Sequence, residues 1–409
     1  MGNRTLSLII PTLDRPHFLK RALEYLEKQK CSHPVLVADS SGEPARTINQ
    51  STIESVSATL QVEHRRYEHG ASPEHKIADT LSAVDSRYSV LCADDDFVIP
   101  RTIDRCVEFL ESHPDYETAA GLVSNLYSVE PSAGNRLLAG IAPGISQSKL
   151  WTSPTTPRPS LTIENEHPCA RVCAHLLNYH PTFYSVHRRE NHLSNIQAAA
   201  EFAGDYLFGE LMASVLSVIQ GKKKHINEPY IIRPLRPDNS TIMQARKQTY
   251  DITEDDFSQR YARFRNKLVQ ILVAIRAASP ENARDAINDA FSGFAGQNLI
   301  RRELLRANQP KKNSLAQAAR QLDRIEKILQ ALPRSVFQRH LLLDMIRAPI
   351  QYARLLYCEE KWISDDNYLP MQRLLSRSSP YQRDFQLIYD HVTSYISECP
   401  LLSVPVNVS

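Results

Sequence analysis

Tyr88 to His113 reads YSVLCADDDFVIPRTIDRCVEFLESH. Tyr88 to Ala93 is an apolar, partly β-branched run of the kind that forms a buried strand. Arg101 to His113 repeats apolar residues at the helical period behind Pro100, a residue that a first helical turn tolerates. Between them stand three consecutive carboxylates, Asp94, Asp95 and Asp96. The stretch is a strand–loop–helix unit, and the same unit recurs upstream. Residues 6–10, 35–39 and 60–67 read as strands, and 17–29, 45–56 and 74–84 as helices; 118–129 reads as a further strand. This alternation predicts an α/β fold, Rossmann-like and doubly wound around a mainly parallel sheet.

In such sheets ligands bind beyond the carboxyl ends of the strands, which is where Asp94–Asp96 fall. Carboxylates about 5 Å apart repel by roughly 3 kcal/mol per pair at an effective dielectric of about 20. The N-terminus of the following helix, about half a unit charge, cannot balance three of them. Two readings follow. A hard divalent cation, Mn²⁺ or Mg²⁺, sits among the oxygens and bridges to phosphates, or the run is a solvated or capping loop.

The whole chain bounds the alternatives. Its 409 residues suffice for two or three domains at about 150 residues each. With 48 Lys+Arg against 46 Asp+Glu, the net charge of +2 leaves no electrostatic footprint for nucleic acid. Seven scattered Cys suit reduced thiols. No stretch reads as a signal peptide or a membrane span, so a cytoplasmic protein is expected, with peripheral membrane contact left open.

Residues 131–168 are rich in Pro, Ser, Thr and Gly and read as a long loop or lid. A helix, a strand at TFYSVHR and a helix over 207–221 follow, and KHINEPYIIRPLRPDNST closes an α/β domain spanning about 1–245. From about 250 to 409 the pattern is helical only. Phe257, Tyr261, Phe264, Leu268, Ile271 and Ile275 form one stripe, and Leu315 to Leu332 another. This all-α region is expected to make a homo-oligomer or to present an acceptor.

Four ordered landmarks carry a resemblance. LSLIIPTLDRPHFLKRALEYL, VLVADSSGE, HGASPEHKIADTL and VLCADDDFVIP resemble, in order, the opening strand and helix, the acidic second strand, the basic segment and the DxD motif of family 2 inverting GT-A glycosyltransferases. The resemblance implies a transferase that moves a sugar from a nucleoside diphosphate sugar, UDP-linked, to an acceptor hydroxyl on a glycan, lipid or protein. It implies that Pro11, Thr12, Asp14 and Arg15 line the nucleotide pocket, that Asp39 meets the base, and that His69 and Lys76 lie near the base or diphosphate. Asp94 and Asp96 would hold the metal; counting back from Pro100 gives Asp95 and Asp96 instead, with Asp96 common to both. The general base would be Asp205, the favoured candidate, or Glu210, which lies at the family distance from Gly221. Arg233 and Arg236 would meet the diphosphate, and Leu235 stands where the family has a metal-binding His. That departure keeps a second reading open, a catalytically inactive GT-A module that binds a nucleotide or a partner. A nucleotidyltransferase is disfavoured because IIPTLDRPHF lacks a Gly-rich phosphate loop.

The HPCARVCAH segment (167–175) reads as a helix face rather than a zinc site, and Lys222–Lys224 as a solvated helix cap, the alternative being a patch for phosphate or lipid headgroups. His180 and His187 flank the acceptor-side strand and read as structural, with a substrate contact as the alternative.

Overall fold

A computed structural model of the chain describes residues 5–130, 149–154, 162–234, 256–296, 369–370, 375, 379–394 and 403–405. The first part runs β1 (Leu6–Thr12), α1 (Pro16–Lys28), β2 (Val35–Asp39), α2 (Ala45–Val56), β3 (Val62–Arg66), α3 (Pro73–Ser82), β4 (Tyr88–Leu91), β5 (Phe97–Val98), α4 (Pro100–Ser112) and β6 (Tyr116–Glu130). Then come β7 (Lys149–Pro154), α5 (Pro168–Leu177), β8 (Val186–Arg188), α6 (Arg189–Ala200), α7 (Tyr206–Gln220), β9 (Lys222–Pro234), α8 (Phe257–Ala274) and α9 (Pro280–Phe294). Last are β10 (Leu369–Pro370), α10 (Gln382–Ser394) and β11 (Ser403–Pro405).

β1 pairs in parallel with β2 on one side and β4 on the other, and β2 pairs in parallel with β3. The described order is β10-β7-β6-β8-β4-β1-β2-β3. β8 joins β4 and β6 antiparallel, while β9 runs parallel to β6. Chain order reverses between β1 and β4, which makes their carboxyl ends the crevice of a doubly wound sheet.

Alternation along β1 splits the core into two layers. Leu8 and Ile10 pack with Leu19 and Leu23 of α1 and with Ile103 of α4; Ile9 packs on the other face with Ile77 and Leu81 of α3 and Ile196 of α6. A third core joins α5, α7, α8 and α9 around Phe208, Phe264 and Phe291. Local chemistry starts several helices: Pro16, Pro73 and Pro100 open α1, α3 and α4, and the Ser72 hydroxyl accepts from His75 N–H at the start of α3. Gly121 is needed where β6 meets β9, since a Cβ there would lie 2.5 Å from the Glu228 carbonyl.

Two expectations change. Residues 149–154, inside the stretch read as a loop, form β7 and pair with β6. The C-terminal part is not helix only: β10 and β11 add to the sheet, because unpaired edges of β7 and β6 offer backbone partners to short extended segments. The stripe from Phe257 is spent inside the chain, with Phe264 and Leu268 fully buried in the third core, while Ile275 is 51% exposed at its end. The second stripe, Leu315–Leu332, lies outside the described residues. No helix among those described is long and apolar enough to cross a membrane.

Candidate functional site

The carboxyl ends of β1 and β4 bring Thr12 against Asp94, the Thr12 hydroxyl donating to Oδ2 at 2.8 Å. The Asp run is buried: Asp94, Asp95 and Asp96 are 3%, 8% and 3% exposed. Each meets a guanidinium. Arg15, just ahead of α1, places Nη1 3.1 Å from Asp94 Oδ1 and Nη2 2.6 Å from Asp95 Oδ2. Arg21 of α1 donates from Nη2 to the Asp95 carbonyl at 2.6 Å and lies 4.8 Å over the Phe97 ring. Arg233, near the end of β9, places Nη2 3.0 Å and Nε 3.2 Å from Asp96 Oδ2. The repulsion that the sequence suggests a cation must relieve is therefore met in this structure by three arginines. Burial pushes the Asp94 and Asp96 carboxyls up from the ordinary range, with Arg15 opposing at Asp94 and Arg233 at Asp96.

Across the switch point, Lys76 of α3 is buried and donates from Nζ to the Thr12 carbonyl at 2.6 Å and to Ser40 Oγ at 2.8 Å. Burial lowers its pKa to about 8, against the opposing pull of Asp94 and Asp39. Asp39 sits at the end of β2. Burial alone would raise its carboxyl, but hydrogen bonds from His64, Ser41 and Asn49 hold it down at about 2. These donors make Asp39 a rigid, ionised acceptor at the carboxyl end of β2. Asp14 adopts a positive φ of 53°, which Asp tolerates. Its carboxylate accepts from Gly42 N–H at 2.8 Å and pairs with His69 Nε2 at 2.9 Å. Gly42 leaves room for that ring: a Cβ there would approach His69 to 3.2 Å. Pro11 lies half-buried in β1, in register with Ala38. The structure thus gathers Pro11, Thr12, Asp14, Arg15, Asp39, His69, Lys76, Asp94, Asp95, Asp96 and Arg233 at one crevice. Arg236 and Leu235 lie outside the described residues.

The two base candidates separate. Asp205 is the N-cap of α7, its Oδ1 accepting from Phe208 N–H at 3.1 Å, and Arg260 of α8 clamps both oxygens at 2.7 and 3.0 Å. Glu210, one and a half turns on, accepts from the Tyr179 hydroxyl at 2.9 Å. Burial raises the Tyr184 hydroxyl above its ordinary range; Arg233 opposes this and the charges of Asp96, Asp95 and Glu210 add to it. The Arg233 guanidinium lies 5.6 Å over the Tyr184 ring. Arg21, Tyr184 and Arg260 are the contributors that sequence reasoning missed. Only Arg21 left a signal, as an Arg on the otherwise apolar face of α1.

Carboxylate oxygens suit Mg²⁺ or Mn²⁺, which keep several waters and bind through one or two protein carboxylates plus phosphate. Asp94 and Asp96 fit that chemistry. Among the described residues no group of three or more His, Cys, Asp and Glu is placed to hold a metal ion.

No protein-family model matches the chain, and no curated protein matches it. Solved structures resemble it at low identity. Staphylococcus aureus TarS shares 14% identity at a TM-score of 0.44, covering 85% of this chain and 54% of that one. Its 1–349 portion in complex with UDP-GlcNAc shares 13% at 0.45, covering 97% and 92%. A Pyrobaculum calidifontis mannosyltransferase in complex with GDP-Man and Mn²⁺ shares 13% at 0.40, covering 88% of each chain. This chain spans about half the length of the first TarS structure.

Proposed function

We propose that this chain is a glycosyltransferase that binds a nucleoside diphosphate sugar, UDP-linked, in the crevice between β1 and β4 and transfers the sugar to an acceptor hydroxyl with inversion. The observation that carries the reading is the buried Asp94–Asp96 run interleaved with Arg15, Arg21, Arg233 and Lys76 at the switch point. Guanidinium forks suit phosphate oxygens, and Arg15 and Arg233 are partly exposed, so they can turn from carboxylate to diphosphate. Asp39 orients the base and Asp14 with His69 flanks the nucleoside.

A divalent cation held by Asp94 and Asp96 would supply charge stabilisation to the departing diphosphate. Glu210 takes the proton from the acceptor hydroxyl as that oxygen attacks the anomeric carbon, and the Tyr179 hydroxyl holds the Glu210 carboxylate in place. Asp205 caps α7 and, through Arg260, fixes the helix that carries Glu210. This reverses the order of preference drawn from sequence, because both Asp205 oxygens already have donors.

Thermal unfolding with UDP, GDP, CMP or dTDP, each with and without Mn²⁺, tests the donor site. A nucleotide at 100 times its dissociation constant adds about 2.7 kcal/mol of stability. The expected result is a Mn²⁺-enhanced shift with UDP that Asp96→Ala abolishes, followed by sugar transfer that Glu210→Gln abolishes. Nucleotide binding with no turnover, indifferent to Glu210 and Asp205, would instead make the chain a binding module. No shift with any nucleotide removes the proposal.

A further inference from the structure

We propose that His391 of α10 is a positioning residue for the Asp94–Asp96 loop, and that the docked C-terminal helix thereby sets how well the donor crevice holds a cation and a diphosphate. The effect on cation and diphosphate rests on the transferase reading, whereas the effect on the loop stands without it. α10 buries one face, Asp384, Phe385, Ile388, His391 and Val392, at the spacing of a helical stripe. Phe385, Ile388 and Val392 join the core that holds Tyr25 of α1 and Phe97 of β5. At the start of the helix, Asp384 Oδ2 lies 3.0 Å from Arg101 Nη2 in the first turn of α4, and that guanidinium lies 4.5 Å over the Tyr381 ring.

Phe97 is where this helix meets the site. It follows Asp96 directly, is fully buried, and pairs through β5 with Ile232 of β9, the neighbour of Arg233. Its ring meets Tyr25 edge-on at 5.0 Å between centroids and His391 at 6.5 Å, and the Arg21 guanidinium lies 4.8 Å over it. His391 also stands edge-on to Tyr25 at 6.2 Å. Arg21 is itself buried, and its Nη2 donates to the Asp95 carbonyl at 2.6 Å. Contacts therefore run without a gap from His391 through Phe97 and Arg21 to the backbone of the Asp run.

A cation–π contact and a hydrogen bond from a charged donor both strengthen where water is excluded. Retraction of α10 would uncover the inner sides of Phe97 and Tyr25, admit water beside Arg21, and give its guanidinium acceptors other than the Asp95 carbonyl. The loop would keep its carboxylates but lose the fixed backbone from which they project, and binding groups depend on being held in place by such support. The seat itself is a compromise. Burial, then Lys28 and Arg21, lower His391 to about 4 against the pull of Glu24 and Asp390, so the ring is neutral near pH 7. It is 2% exposed, and neither ring nitrogen has a hydrogen-bond partner. An apolar ring of similar size would fill the seat without burying unpaired nitrogens. Phe at 391 should therefore seat α10 at least as firmly as His, while Ala should not.

The test is native-state hydrogen exchange of the full chain, read on the peptide Cys92–Ile99, in which Asp96 N–H donates to the Ala93 carbonyl and Ile99 N–H to the Tyr230 carbonyl. It is paired with calorimetric titration of UDP in the presence of Mn²⁺. His391→Ala should speed exchange in that peptide about tenfold and raise the dissociation constant for UDP about tenfold, the ratio expected when a desolvated cation–π contact becomes a wet one. His391→Phe should restore both to the wild-type values. Leu110→Ala, a core truncation at the far end of α4, serves as the control for general loss of stability and should change neither. If His391→Ala does not fold, Ile388→Val, a smaller change on the same face, carries the test. Exchange in the peptide that is indifferent to His391→Ala, that Leu110→Ala speeds equally, or that His391→Phe fails to restore overturns the proposal. Wild type that binds no nucleotide while the loop still answers to His391 would remove the transferase reading and leave the positioning role standing.

Discussion

Replacing Arg233 with Met isolates the charge balance of the Asp run. The Arg233 guanidinium lies 3.0 Å from Asp96 Oδ2, and Asp96 is 3% exposed. Unit charges about 4 Å apart attract by roughly 4 kcal/mol at an effective dielectric of about 20. Removing one partner of a buried pair costs about 3–5 kcal/mol, because the remaining charge is left without compensation. Asp96→Asn should cost much less, about 1 kcal/mol, since Arg233 is 31% exposed and can turn to water. The double variant should then be near Asp96→Asn alone, giving a coupling of about 3–5 kcal/mol. The pH dependence has a definite sign. Burial already raises Asp96 in the folded chain, and losing Arg233 raises it further. A carboxyl with a folded pKa above its unfolded value contributes fully at low pH and loses stability as pH rises through the folded value. Urea unfolding of Arg233→Met should therefore show a small deficit near pH 4 that grows toward pH 8. A deficit below about 1 kcal/mol at pH 8, or one that is flat with pH, would refute the claim that Arg233 balances Asp96.

Three further outcomes follow from other contacts. Glu117 is buried, its Oε1 has no partner, and burial raises its pKa from 4.5 to about 8, so wild type loses stability as pH climbs between those values; Glu117→Gln should match wild type near pH 4 and exceed it by up to about 3 kcal/mol at pH 7 in urea unfolding. Asp205→Ala should lower stability by about 1–2 kcal/mol through the lost cap, whereas Glu210→Gln should leave stability nearly intact and lower kcat by about 10²–10⁴-fold; equal kinetic losses would return Asp205 to the role of base. Phe385→Ala on α10 should cost about 3–5 kcal/mol, because that ring is 2% exposed in the core shared with α1; an unfolding midpoint equal to wild type would show that α10 does not dock there.

The parts of this molecule that sequence made legible are those whose signal is local. Leu8, Ile9 and Ile10 announce a strand buried on both faces, Pro16 and Pro100 announce helix starts, and three adjacent Asp announce a site, all within a few residues. α6 was not legible because it buries His192 and Asn195 alongside Ile196 and Ala199, so its inner face carries no apolar period. β7, β10 and β11 escaped for the complementary reason: a short strand is decided by an open edge elsewhere in the sheet. The charge balance of the site was hidden by distance along the chain. Arg21 is 74 positions from Asp95 and Arg233 is 137 from Asp96, and nothing near either arginine says which carboxylate it will meet. Three clustered carboxylates read alone call for a metal, while the same three read with their folded neighbours already stand beside guanidinium groups. On the proposed function, cation and arginine would compete for the same oxygens: a diphosphate would offer Arg15 and Arg233 a second anion, and its arrival would leave Asp94 and Asp96 open to Mg²⁺ or Mn²⁺. On this logic metal affinity should be weak without nucleotide and strengthen with it, so a Mn²⁺ titration in which UDP makes no difference would argue that the arginines never release the carboxylates.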